Sequence, residues 1–86
     1  MNITDVRVKT TAGKGKLRAY ASVTFDDEFV VHDIRVIEGE KGYFVAMPSK
    51  HMFEGGFKDI AHPIRQSTRE SLSDAVLKAY DSMVEE

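Results

Sequence analysis

Between Leu17 and Phe25 every second side chain is apolar: Leu17, Ala19, Ala21, Val23 and Phe25 point one way, while Lys16, Arg18, Tyr20, Ser22 and Thr24 point the other. A period of two marks an extended strand with one face covered. Such a strand needs neighbours for its backbone groups and an apolar layer across one side. The flanking sequence supplies the neighbours. Thr4 to Lys9 also alternates, with Val6 and Val8 opposed to Asp5, Arg7 and Lys9, and the glycines of Ala12-Gly13-Lys14-Gly15-Lys16 provide the positive φ of a hairpin turn. After the acidic interruption Asp26-Asp27-Glu28, the β-branched run Phe29 to Ile37 predicts a third strand with a bend near His32-Asp33. Glu38 to Gly42 reads as a turn, and Tyr43 to Met47 as a short fourth strand ended by Pro48, which has no amide hydrogen for a ladder. Ser49 to Gly56 reads as a loop turning at Gly55-Gly56, and Phe57 to Ala61 as a short fifth strand before Pro63.

The covering layer is a helix. Ser67-Thr68-Arg69-Glu70 fits a capping box, with Ser67 as the N-cap. Leu72, Ala75, Val76, Ala79, Tyr80 and Met83 then recur on one helical stripe. No helix lies between strands to make a parallel crossover. The expected class is therefore α+β: an antiparallel sheet of four to five strands with one C-terminal helix packed across it.

An 86-residue chain holds one core, so a single domain over residues 1–86 is expected. A domain of this size buries only roughly 60–65% of the surface its unfolded chain exposes. The sequence has no cysteine to add disulfides or thiolate metal sites, which leaves self-association as the common remaining support. There is neither an apolar run near 18 residues nor a signal-peptide core, so a cytoplasmic protein without a membrane partner is expected.

The net charge of -2 conceals an asymmetry. Arg7, Lys9, Lys14, Lys16 and Arg18 face only Asp5 within residues 1–25, whereas the remainder of the chain is acidic. A uniformly basic coat for nucleic acid is excluded, but a local patch is not. Two basic groups stand out: Lys9, Lys14, Lys16 and Arg18 around the first hairpin, and Lys50, Lys58, Arg65 and Arg69 around the Ser49–Gly56 loop and the helix start. His51 and Phe53 beside the second group could stack on unpaired bases. The competing reading makes these ordinary solvated charges, and Phe53 a cover for core or a partner; the acidic surroundings favour it on the residues alone.

Catalytic patterns are not apparent. Ser22, Ser49 and Ser67 sit in no nucleophile turn, and the spacing of His32, His51 and His62 matches no compact metal motif, so neither an enzyme, a metal site nor a cofactor is expected. Gly13-Lys14-Gly15-Lys16 lacks the Ser or Thr and the following helix of a phosphate loop.

Phe29-Val30-Val31-His32-Asp33-Ile34-Arg35-Val36-Ile37, then Phe44-Val45-Ala46-Met47-Pro48-Ser49-Lys50, then Phe57-Lys58-Asp59-Ile60-Ala61-His62-Pro63-Ile64 closely resemble the stage V sporulation protein G family, the SpoVG or septation-regulator family. Ile3-Thr4-Asp5-Val6-Arg7 and Thr24-Phe25-Asp26 agree with it, and the match runs in order through the chain. The resemblance implies a dimeric bacterial cytoplasmic protein that binds DNA and RNA and regulates gene expression, septation or sporulation, without enzyme activity. It associates binding with basic residues after Pro-Ser-Lys and with the C-terminal helical region. Lys50 matches; His51 stands where many relatives carry Arg, and Met52-Phe53-Glu54-Gly55 replaces a Thr-Pro-Asp-Gly-like turn. The expected interface is Lys50 and His51 on phosphate, supported by Lys58, Arg65 and Arg69 near the helix start, with Lys9, Lys14, Lys16 and Arg18 as a secondary patch. A protein-interaction module with incidental nucleic-acid contact is the alternative.

Overall fold

In the computed structural model, which describes residues 1–11 and 15–84, alternation becomes a sheet. Strands β1 (Ile3–Thr10), β2 (Leu17–Phe25), β3 (Phe29–Gly39) and β4 (Gly42–Ala46) pair antiparallel in that order. Strands β5 (Ser49–His51) and β6 (Phe57–Asp59) form a separate two-stranded sheet, and helix α1 (Gln66–Val84) closes the chain. The α+β class and the antiparallel sheet under one helix are as expected. The strand details differ. The expected fifth strand lies outside the main sheet, and the segment expected to be a loop from Ser49 supplies that strand's partner.

The core lies between one sheet face and α1. Ala19, Ala21, Val23 and Phe25 from β2, Ile34 and Val36 from β3, and Met47 meet Leu72, Val76 and Tyr80 from the helix. Val6 and Val8 pack at its margin. Burying each of its Val, Ile, Leu, Phe and Met side chains stabilises by about 1.5–3 kcal/mol. The helical stripe ends sooner than its periodicity predicts: Met83 is exposed.

Three one-residue bulges adjust the sheet. The partners of β1 and β2 leave Thr4 extra, and those of β2 and β3 leave Arg18 extra at one end and a residue at His32-Asp33 towards the other. The last is the bend expected in β3, where Asp33 adopts φ 62°. Here the Ser22 hydroxyl and His32 Nδ1 lie 2.8 Å apart, a hydrogen bond that holds β2 to the displaced segment. The acidic interruption is a tight turn with φ 53° at Asp26 and 55° at Asp27, as in type I′ hairpins. It is tied to the chain start by the Asp26 amide donating to the Asn2 carbonyl at 2.8 Å. The turn expected over Glu38 to Gly42 shortens, because β3 continues to Gly39, which pairs with Gly42.

The helix starts differently from its sequence signature. The Arg69 amide donates to the Arg65 carbonyl at 3.1 Å, which puts Arg65 at the N-cap and Ser67 inside the first turn. Glu70 then accepts from the Gln66 side-chain amide at 3.3 Å, so the capping box is not formed. The i, i+4 bond from Gln66 stabilises the first turn instead.

Candidate nucleic-acid interface

Pro48 ends the main sheet and Ser49 begins a new direction. At the root of the resulting β5–β6 ribbon, the Arg35 guanidinium donates to the Met47 carbonyl and to Ser49 Oγ, each at 3.0 Å. The Ile60 amide donates to the Pro48 carbonyl at 2.7 Å on the returning strand. At the tip the Met52 amide donates to the Gly56 carbonyl at 2.9 Å and the Gly55 amide to the Met52 carbonyl at 3.0 Å. Gly55 and Gly56 both have positive φ, 100° and 78°, which explains their place in the turn. Among the described residues, the backbones of β5 and β6 stand apart from the main sheet and α1, so the ribbon projects from the body, tied to β3 at its root by the Arg35–Ser49 hydrogen bond.

Its register determines what it presents. Lys50 lies directly opposite Lys58, and His51 opposite Phe57. Side chains alternate between the two sides of a ribbon, so the lysines share one side and the His51–Phe57 pair occupies the other, with Ser49 and Asp59. Directly opposed residues hold their Cβ atoms about 5 Å apart, close enough for like charges to repel. His51 and Phe57 meet edge to face, with ring centroids 5.2 Å apart at 85°. Phe53 at the tip is fully exposed, and Phe57 is 72% exposed.

The other expected residues are distributed elsewhere. Arg65 and Arg69 are exposed at the start of α1, where the Arg69 guanidinium donates to the Pro63 carbonyl at 3.2 Å. The helix packs on β1 to β4 and does not contact the ribbon, so these arginines are not gathered with Lys50 and Lys58 by direct packing. In the secondary patch, Lys14 lies outside the described residues. Lys9 is exposed opposite Tyr20 on the uncovered sheet face, and Lys16 is exposed at the sheet end.

Arg18 does not behave as a free surface cation. The bulge leaves it half-buried, and its Nε donates to Glu38 Oε2 at 2.9 Å while Nη2 also bonds Glu38. The hydrogen bond and charge of Glu38 hold the guanidinium above its usual pKa, a pairing that offsets its charge towards an outside phosphate. Beside it, Tyr43 meets Tyr80 edge to face at 5.3 Å. Burial, with help from Tyr43, raises the Tyr80 phenol above its ordinary value.

Arg35 is the functional-site residue that sequence reasoning missed. Its signal was a cation set between Ile34 and Val36, the two buried residues of β3. Among the described residues, no three His, Cys, Asp or Glu side chains converge as metal ligands, and no helix is long and apolar enough to cross a membrane.

The pattern that defines the SpoVG family matches residues 1–82 of the chain. The chain belongs to the SpoVG family. It is 58% identical over 83 residues to a SpoVG protein of Alkaliphilus oremlandii, covering 96% of this chain and 89% of that one. Identity is 62% over 81 residues with a Lachnospira eligens relative, covering 94% and 92%, and 56% over 86 residues with one from Alkaliphilus metalliredigens, covering 100% and 88%. All three carry the name of a candidate septation protein, SpoVG. The SpoVG resemblance first seen in the motifs thus extends through both the sheet and the helix.

Proposed function

We propose that this SpoVG-family chain is a nucleic-acid-binding regulator of gene expression, acting as a cytoplasmic homodimer and catalysing no reaction. The septation names of its relatives support a regulated process near cell division or sporulation. The observation that carries the binding reading is the Lys50–Lys58 pair on a projecting ribbon. Two facing ammonium groups are unfavourable alone and favourable around a phosphate, which satisfies both. A twofold dimer would present two such ribbons, so that weak contacts add through high effective concentration. Arg65 and Arg69, exposed at the helix start, offer a separate set of phosphate contacts where backbone amides also favour anions.

The competing reading, a module that docks a partner protein, is favoured by a cleft of about 360 Å³ lined by Phe25, Phe29, Val31, Met47, Ile60 and Leu72. A salt titration of binding to labelled duplex separates the two. The regulator binds at low salt, and the Lys50→Ala/Lys58→Ala variant binds more weakly on every sequence, with a salt slope shallower by about two. Absence of duplex and single-strand binding at low salt would refute it in favour of the protein module.

A further inference from the structure

A fully exposed phenylalanine on an ordered turn forgoes the burial its ring would gain elsewhere. Phe53 is in that position, held by the two backbone hydrogen bonds that close the tip. Further back on the ribbon are two more rings, His51 and Phe57, set edge to face. The paired lysines flank this aromatic group from the ribbon's other side. Glu54, next to Phe53, repels phosphate from the tip itself. Charge therefore places a backbone phosphate at Lys50 and Lys58 and leaves the tip for an uncharged, flat group.

We infer that the Phe53 ring at the tip stacks on an unpaired base while Lys50 and Lys58 hold the adjoining phosphate, so that the ribbon binds single-stranded nucleic acid in preference to duplex. This rests on the phosphate-binding reading above. In a duplex the base faces are covered by their neighbours, whereas a single strand can turn a base outward onto an aromatic ring. Stacking uses the π-face common to every base, so the preference is for strandedness more than for sequence. The chemistry is shared by RNA and single-stranded DNA.

Fluorescence anisotropy with labelled 20-nucleotide U-rich RNA, the corresponding T-rich DNA and a duplex of equal length tests the inference. The intact protein should bind the single strands more tightly than the duplex. Phe53→Ala should lower single-strand affinity on the order of tenfold, within the range of one base–aromatic stack, and leave duplex affinity and the salt slope unchanged. Phe53→Trp should retain binding, while Phe53→Leu, apolar but without a ring, should resemble Phe53→Ala. A loss confined to the RNA or to the DNA strand supports the inference and identifies the source of the base.

Phe53→Ala binding every probe as the intact protein does overturns the inference; the lysine reading is judged separately by Lys50→Ala/Lys58→Ala. Binding of no probe by the intact protein overturns both. Equal losses on single strand and duplex, with a fall in mass by light scattering, overturn the inference in favour of Phe53 as a contact between copies. Phe53 lies outside the core, so its replacement leaves the fold available for these measurements.

Discussion

Two ammonium groups opposed across a short ribbon and a phenol buried between helix and sheet show how far a residue's meaning depends on its neighbours. Lys50 and Lys58 are eight positions apart, and only the strand register makes them a pair. Tyr80 is similarly defined by place: burial favours its neutral form and raises its pKa. A group whose folded pKa is raised contributes stability that is complete below its unfolded value, about 10 for tyrosine, and is lost as pH rises through the folded value. Urea midpoints measured from neutral to strongly alkaline pH should therefore fall above about pH 10, and Tyr80→Phe should reduce that alkaline loss. Equal alkaline sensitivity in the two proteins would remove Tyr80 from this account. At this scale sequence reading picks out charged and aromatic residues but not their partners. It did not see that Glu38 engages Arg18, because the two are brought together only after β2 gains an extra residue.

Elements were legible where one period governs a long run. The Leu17–Phe25 alternation gave β2, and the stripe from Leu72 gave the packed face of α1. Junctions were less legible. Ser67 and Glu70 have the right spacing for a capping box, but Arg65 takes the N-cap and Gln66 engages Glu70. The strand β5 has only three residues, too few for alternation to separate it from loop. Its existence follows from pairing with β6, a non-local fact. The stripe also loses its cover at Met83, which periodicity does not record. Leu72→Ala should cost about 2–5 kcal/mol by denaturant unfolding, as expected for a fully covered core side chain. Met83→Ala, on the same stripe, should cost within about 0.5 kcal/mol, as for surface substitutions. A large Met83 effect would mean that the last turn is covered in solution.

For the whole molecule, one sheet face lies under the helix, while the other carries exposed Tyr20, Val30 and Phe44. That uncovered surface, added to a core of few side chains, supports the proposed homodimer. If folding and association are linked, the melting temperature should rise with protein concentration, and light scattering should give the mass of two chains. A single-chain mass with a concentration-independent melting temperature would refute the dimer. The projecting ribbon has a different consequence. Its side chains lie outside the packed core, so its tip can change chemistry with little effect on the body's melting behaviour. The protein thus separates what keeps it folded from what it can touch, leaving the ribbon open to variation while the scaffold stays fixed.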